Sequence, residues 1–187
     1  MKFERRLAPK DSPDFFPTPK CATKALLAYE RFDGNVLEPA CGKGDISKVF
    51  LEKGFVVDSS DLFDWGFGKT GQDFFNIKKP YDNIVTNPPF NRSLDFAKHS
   101  LEIAQRKVAL LLRLSFLEVM ERYQTLFTVN PPSKVYVFSK RLTFYPEKIT
   151  KGGGSGPTAY AWFVWDKTSD SNESVLKWIK PELVTND

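Results

Sequence analysis

The sequence is poor in the residues that bind structural metals. Its 187 residues include two cysteines, Cys21 and Cys41, and a single histidine, His99. The cysteines lack the close spacing of a zinc site, and one histidine cannot complete such a site. We therefore expect a reduced protein without a metal.

Long apolar runs are also missing. No stretch approaches the roughly 20 apolar residues that a membrane-spanning helix needs. Residues 1–6 are charged and no apolar core follows them, so we expect no secretory signal. Together with the scarcity of cysteine, these absences predict a cytoplasmic protein that has no membrane partner.

The composition is that of an ordinary globular chain, with 41% hydrophobic and 27% charged residues. A chain of this length can bury one substantial core, so we expect a single domain over residues 1–187. We expect an irregular arm at 1–14 and a flexible glycine-rich loop at 146–157. A polar tail at 167–187 would include one short helix near 174–179.

Positive charge is in slight excess, with 27 Lys and Arg residues against 23 Asp and Glu residues and a pI near 9.0. Its distribution is uneven, because cations outnumber acids between residues 134 and 151. A basic segment can follow a phosphate backbone, although a solvated surface has the same pattern. The candidate nucleic-acid contacts are Arg92, Lys140, Arg141, Lys148 and Lys151.

Short apolar runs alternate with helical periodicity along most of the chain. The expected strands cover 35–37, 55–57, a strand or turn near 73, 82–86, 108–112, 135–138 and 159–165. Since the last two strands have only a loop between them, they should form an antiparallel hairpin. The pattern predicts an α/β fold with a Rossmann-like, mostly parallel sheet of seven strands and helices on both faces.

Four helices are expected, one before the first strand and three between successive strands. The first would have Thr18 as its N-cap and Pro19 as its first residue. The last would open with a capping box formed by Ser115 and Glu118. The expected helical ranges are 19–31, 46–53, 94–104 and 115–127.

A glycine-rich turn, Glu38-Pro39-Ala40-Cys41-Gly42-Lys43-Gly44, joins the first strand to a helix. Glycines let the backbone approach a ligand closely. The dinucleotide fingerprint requires a third glycine, and Ser47 occupies that position, which disfavours a pyrophosphate-bearing ligand. The Glu38 carboxylate would repel phosphates but accommodate a cationic amino group.

Acidic residues follow the next two expected strands. Asp61 lies 19 residues after Gly42, where a carboxylate can accept hydrogen bonds from ribose hydroxyls. Asp58 is the weaker candidate, and a simple polar strand end is the alternative interpretation. Asp73 would lie beside the same edge of the sheet.

The turn Asn87-Pro88-Pro89-Phe90 follows the strand that contains Ile84-Val85-Thr86. Ligands of open α/β sheets bind at this edge. The two prolines remove N–H donors and fix φ, which holds one amide, free carbonyls and one aromatic face in place. The arrangement suits a flat, amino-bearing ring, although Asn-Pro is also common in ordinary turns.

These motifs, in this order, resemble the class I S-adenosylmethionine-dependent amino-methyltransferases, and in particular the small phage-type DNA N6-adenine methyltransferases. The resemblance covers about residues 14–166. Its most specific element is the 87–90 turn, while the glycine turn is common to class I methyltransferases. Residues 60–62, 73–74 and 16–19 also match motifs of the family.

The resemblance implies S-adenosylmethionine as the methyl donor. Thr18 would bind its carboxylate end, Glu38 and Gly42 its methionine part, Asp61 its ribose and Asp73 its adenine amino group. The full set of implied donor-binding residues is Phe16, Thr18, Glu38, Pro39, Ala40, Gly42, Gly44, Asp61, Leu62, Asp73 and Phe74.

The resemblance also implies the catalytic residues Asn87, Pro88, Pro89 and Phe90. The amide oxygen of Asn87 and the carbonyl of Pro88 would accept the two N–H groups of an adenine, and Phe90 would stack on its ring. A nucleic-acid partner is implied, DNA ahead of RNA. No separate target-recognition domain fits in the chain, so specificity would be low or would depend on loop 140–157 and the N-terminal arm.

Other acceptors use similar turns. RNA adenine and protein glutamine methylation share the Asn-Pro-Pro turn, whereas cytosine N4 methylation more often uses a turn that begins with serine. A catalytically inert module that binds nucleic acid through the same fold is a further alternative. Asn87, together with the intact glycine turn, favours an enzyme that acts on adenine.

Overall fold

The computed structural model describes residues 16–144, 158–169 and 173–180. The expected N-terminal arm (1–14) and the glycine-rich loop (146–157) lie outside these ranges, and so do Lys148 and Lys151. The expected polar tail is described only in part.

Seven strands of the described residues form one sheet in the order β2-β1-β3-β4-β6-β5-β7. The strands are β1 (Val36–Glu38), β2 (Val57–Ser59), β3 (Tyr81–Thr86), β4 (Ala104–Arg113), β5 (Lys134–Phe138), β6 (Tyr160–Asp166) and β7 (Val175–Ile179). The helices are α1 (Lys20–Tyr29), α2 (Asp45–Glu52), α3 (Ser93–Ile103) and α4 (Met120–Arg122), and a π-helical segment, Tyr123–Phe127, continues α4.

Strand β6 is antiparallel to both of its neighbours, β4 and β5, while the other pairs are parallel. The prediction of a mostly parallel, seven-stranded sheet with an antiparallel pair near its end is confirmed. Strand β1 lies between β2 and β3, so the chain passes from β1 to β2 on one side and then crosses over to β3 on the other side of β1. The crevice at such a reversal is where open α/β sheets bind ligands.

Helices cover both faces of the sheet, as predicted. Adjacent residues of β4 alternate between the two cores: Leu111 packs in the core beneath α1 and α2, and Leu110 in the core beneath α3. Leu26 and Phe50 belong to the first core, and Phe96 to the second. The continuous apolar run of β4 therefore reflects burial on both faces.

The segment near Asp73, expected to be a strand or a turn, is a turn: the Asp73 carboxylate caps a 3₁₀ turn at Phe74–Asn76. The seventh strand is β7, where a short helix was expected, and it pairs in parallel with β5. Its valine, tryptophan and isoleucine favour extended backbone, and β5 offers an edge that pairs its peptide groups.

The expected helix at 115–127 is also different. Leu114–Leu117 forms a 3₁₀ turn, and α4 begins only after Val119, whose φ is 89°. The Arg122 guanidinium donates hydrogen bonds to the carbonyls of Ser115, Phe116 and Glu118. This side chain therefore satisfies the backbone carbonyls of the turn, and no Ser115–Glu118 capping box forms.

A buried charge cluster lies at the end of the strands opposite the crevice. Glu30, 4% exposed, pairs with Lys107 at 2.5 Å and with Lys134 at 2.9 Å, and the Tyr136 hydroxyl donates to it at 2.7 Å. Burial opposes ionisation of Glu30, but these partners outweigh it and lower its pKa. The cluster lies where β4 and β5 begin, away from the crevice.

Within the described ranges, the longest helix is α3, with 11 residues. No helix there is long and apolar enough to cross a membrane.

Candidate active site

A cavity of about 340 Å³ opens at the crevice between β1 and β3. The turns after these two strands, the loop after β2 and the segment before α1 form its wall. Most of the predicted site residues line it: Phe16, Thr18, Glu38, Pro39, Ala40, Gly42, Asp61, Leu62, Asp73, Phe74, Asn87, Pro89 and Arg92. Gly44, Pro88 and Phe90 were also predicted but are not part of its lining.

The glycine turn after β1 depends on left-handed backbone. Gly42 has φ of 52°, and Gly44, which precedes α2, has φ of 79°. A Cβ atom on Gly44 would lie 2.4 Å from the Phe67 ring. Gly44 therefore contributes by letting the loop after β2 pack on the turn, outside the cavity lining.

Asp61 joins the glycine turn to the loop after β2. One carboxylate oxygen accepts a hydrogen bond from the Gly42 N–H at 2.9 Å, and the other accepts one from the Phe63 N–H at 2.9 Å. Each carboxylate oxygen can accept a further hydrogen bond. Asp61 can therefore link the two segments of the cavity wall and still accept a hydrogen bond from a ligand hydroxyl group in the cavity.

Glu38 is 2% exposed at the end of β1. Its carboxylate accepts hydrogen bonds from both the backbone N–H (2.7 Å) and the hydroxyl of Ser47, whose oxygen also lies 2.6 Å from that of Ser59. Burial raises the pKa of Glu38 well above its usual range, and the bonds from Ser47 only partly oppose this. A cationic ligand group would favour its ionised form.

Ser47 therefore has a role that the sequence did not reveal. At the sequence level it counted only as the missing third glycine of a dinucleotide fingerprint. Its side chain instead orients a buried carboxylate at the cavity wall, which is consistent with a ligand other than a pyrophosphate.

Asp73 and Phe74 form the far wall. The Asp73 carboxylate accepts a hydrogen bond from the Phe75 N–H at 3.0 Å, which fixes its orientation. The Phe74 ring is 2% exposed and packs against Phe96 and His99, with ring centroids 4.8 and 4.7 Å apart. This corner of the cavity combines an apolar surface with one acidic acceptor.

Asn87 lies at the boundary of the cavity, and its amide nitrogen has two acceptors. Nδ2 donates to the Phe16 carbonyl and to the Thr18 hydroxyl oxygen, each at 3.1 Å. The amide oxygen Oδ1 is buried and has no hydrogen-bond partner among the described residues.

The prediction that Thr18 caps α1 is wrong, because Pro19 is the N-cap residue and no side chain caps that end.

Phe90 lies outside the cavity, in an aromatic cluster. Its ring centroid is 5.2 Å from that of Phe16 and 5.6 Å from that of Tyr160, and Phe144 packs on Tyr160 at 4.6 Å. The Arg113 guanidinium lies over the Phe90 ring, 4.5 Å from its centre. Sequence analysis missed Arg113 and Tyr160; the available signal for Arg113 was a cation directly after the apolar run 108–112.

The predicted basic contacts fall into two groups. Arg92 lines the cavity, lies over the Phe75 ring at 4.2 Å and pairs with Asp95 at 3.5 Å. Lys140 and Arg141 are exposed just after β5. Since β5 runs in the same direction as β3, both residues lie at the edge of the sheet that bears the cavity.

The surroundings of Cys41 and His99 indicate structural rather than catalytic roles. Burial, with the negative charges of Glu38 and Asp61, raises the pKa of the Cys41 thiol to about 12, so it stays protonated at neutral pH and is a poor nucleophile. The ring nitrogens of His99 lie 3.0 Å from the Ile77 carbonyl and 3.1 Å from Glu102. No cluster of three potential metal ligands occurs in the part of the chain that the structure describes.

Known structures share this fold. A protein from Listeria monocytogenes assigned as a class I S-adenosylmethionine-dependent methyltransferase is 13% identical, with a TM-score of 0.64 over 89% of this chain and 67% of that one. A modification subunit assigned to a type I restriction enzyme of Vibrio vulnificus is 12% identical, with a TM-score of 0.61 over 89% of this chain. The chain spans only 47% of the length of that subunit.

A third structure, assigned as an RNA methyltransferase of Pyrococcus horikoshii, is 15% identical, with a TM-score of 0.60 over 86% of this chain and 93% of that one. No family model and no curated protein sequence matches the chain. The chain therefore has the class I methyltransferase fold, in common with proteins assigned to different acceptors.

Proposed function

We propose that the protein transfers a methyl group from S-adenosylmethionine to the exocyclic N6 amino group of adenine in DNA. The observation that carries this proposal is the buried, unpartnered Oδ1 of Asn87 at the boundary of the cavity. An acceptor atom at the cavity boundary can accept a hydrogen bond from a ligand, and an amino group supplies the donor.

The residues of the cavity fit the proposed donor. Its volume of about 340 Å³ is within the range of small-molecule sites. Asp61 would accept from the ribose hydroxyls and Asp73 from the adenine amino group. The buried Glu38 carboxylate would meet the ammonium group, whose charge would favour its ionised form. When bound, the donor supplies an electrophilic methyl group on a sulfonium sulfur.

The acceptor amine needs activation, because conjugation with the purine ring delocalises its lone pair. Asn87 Oδ1 and the Pro88 carbonyl would each accept one of its N–H groups, which favours a pyramidal nitrogen with a localised lone pair. Fixing the amine in this geometry would contribute much of the rate. Phe90 would provide an aromatic surface for the base, worth roughly 1–3 kcal/mol of stacking.

The preference for DNA rests on the resemblance of the 87–90 turn to DNA adenine methyltransferases and on the basic residues at the same edge of the sheet. In duplex DNA the adenine would have to leave the stack to reach this pocket. RNA adenine is the second candidate, because a structure assigned as an RNA methyltransferase shares this fold over 93% of its length.

The proposal is tested by comparing wild type with Asn87→Ala. We expect methyl transfer to DNA to fall by about 100-fold or more, the loss commonly caused by removing one preorganised hydrogen-bonding group. Binding of S-adenosylhomocysteine, measured by calorimetry, should change by no more than about twofold. Undiminished transfer by Asn87→Ala, or a wild type that binds donor but methylates neither DNA, RNA nor protein, would contradict the proposal.

A further inference from the structure

The two ends of an asparagine amide have nearly the same shape but opposite hydrogen-bonding character. The oxygen accepts hydrogen bonds, and the NH₂ group donates them. Rotation by half a turn exchanges the two ends. The groups around Asn87 therefore decide whether the substrate meets an acceptor or a donor.

One neighbour of Asn87 determines the choice. The Phe16 carbonyl can only accept a hydrogen bond, so the end of the amide 3.1 Å from it must be the NH₂ group. The second amide hydrogen points to the Thr18 hydroxyl oxygen, also at 3.1 Å. With both hydrogens occupied, the oxygen faces the other way, where it is buried without a partner among the described residues.

We propose that Phe16 and Thr18 are positioning residues that fix the polarity of the Asn87 amide and so select an amino group as the methyl acceptor. An exocyclic amine presents N–H groups to the fixed oxygen. A ring with a carbonyl in the same place, such as hypoxanthine, presents an oxygen to the Asn87 oxygen. Both atoms are acceptors, so neither gains a hydrogen bond. Sites built to hydrogen-bond one partner reject an unpaired analogue by about 10⁴-fold or more.

This inference rests on the proposed function for its consequence in catalysis, but the orientation of Asn87 itself does not depend on it. It also gives Thr18 a different role from binding the carboxylate of the donor. Thr18 is 7% exposed, and its oxygen already accepts a hydrogen bond from Asn87. The two roles make different predictions for the same variants.

The first test follows the Asn87 side-chain amide by NMR of the ¹⁵N-labelled, ligand-free protein. Its NH₂ signals are those missing from the Asn87→Ala spectrum. In Thr18→Val we expect hydrogen exchange of one amide proton to become about tenfold faster, because one hydrogen bond is lost. Thr18→Ser keeps the hydroxyl and should stay within about twofold of wild type. Unchanged exchange in Thr18→Val would overturn the inference.

The second test measures kinetics with the same variants. Thr18→Val should lower kcat by about tenfold while the affinity for S-adenosylhomocysteine stays within about twofold, and Thr18→Ser should restore kcat. Weaker binding of S-adenosylhomocysteine with unchanged Asn87 exchange would assign Thr18 to the donor and contradict a positioning role. Thr18→Ala replaces Thr18→Val if the latter does not fold.

The two proposals fail separately. If the wild type transfers no methyl group to any acceptor, the proposed function fails, yet the exchange measurement still reports whether Thr18 orients Asn87. If the wild type methylates adenine but Thr18→Val leaves both exchange and kcat unchanged, only the positioning inference fails.

Discussion

The guanidinium of Arg113 lies over the ring of Phe90, 4.5 Å from the ring centre. Arg113 is the last residue of β4 and is exposed, and its partner in the antiparallel ladder is Tyr160, which also packs on Phe90. One face of the proposed base-stacking residue is therefore covered by a cation. A base that stacks on this face must displace the guanidinium, which then lies next to the incoming polyanion.

Arg113 should therefore contribute to binding of the nucleic acid. We expect Arg113→Ala to weaken DNA binding and to reduce the slope of log K against log salt by about 0.9, the value for one phosphate contact on duplex DNA. Arg113→Lys retains the charge and should keep the slope. Binding titrations over a range of salt concentrations measure both, and an unchanged slope in Arg113→Ala would exclude such a contact.

The glycine turn offers a test with a matched control. Gly44 and Gly54 have similar φ values of 79° and 83°, but an added Cβ would meet the Phe67 ring at Gly44 and nothing within 4 Å at Gly54. Both alanine variants should pay a backbone penalty of about 1–2 kcal/mol. Only Gly44→Ala should also weaken binding of S-adenosylhomocysteine, because the loop after β2 must move away from the turn.

Calorimetry of the two alanine variants, with urea unfolding of each, separates these effects. Equal donor affinity in Gly44→Ala and Gly54→Ala would show that packing of Phe67 on the turn has no part in donor binding.

The raised pKa of Glu38 predicts how the stability of the folded protein depends on pH. Burial raises its pKa in the folded protein well above its ordinary value of 4.5, so the folded state holds the proton that the unfolded chain releases. Stability from this group is therefore complete below pH 4.5 and is lost as pH rises through the folded pKa. Since Glu38→Gln cannot ionise, its stability relative to wild type should increase with pH.

Urea unfolding between about pH 5 and pH 8 measures this difference. Glu52→Gln serves as the control, because the Glu52 side chain is 55% exposed at the end of α2. A stability difference between Glu38→Gln and wild type that does not vary with pH would contradict the account of Glu38.

Local patterns in the sequence were enough to predict much of this fold. The apolar run of β4, the glycines between β1 and α2 and the proline turn after β3 are each determined by neighbouring residues. Strand β7 was missed because its pairing depends on β5, about 40 residues earlier in the chain. The turn after β4 was missed because Arg122, and not a capping box, satisfies its carbonyls.

The candidate site shows the same division. The sequence placed acidic residues and Asn87 at strand ends, since parallel strands end at a common edge. It did not reveal that Thr18 bonds Asn87, 69 residues away, nor that Ser47 holds Glu38. Such contacts depend on how separate segments pack, and no local pattern encodes them.

The most direct test of the account is to incubate the purified protein with methyl-labelled S-adenosylmethionine and separate pools of DNA, RNA and protein, and then digest the labelled pool to its components. We predict label in DNA, recovered as N6-methyldeoxyadenosine, at a rate about 100-fold or more lower when Asn87→Ala replaces the wild type. Label confined to RNA or protein would contradict the assignment of DNA as the acceptor. Absence of label from all three pools, with donor binding intact, would contradict methyl transfer itself.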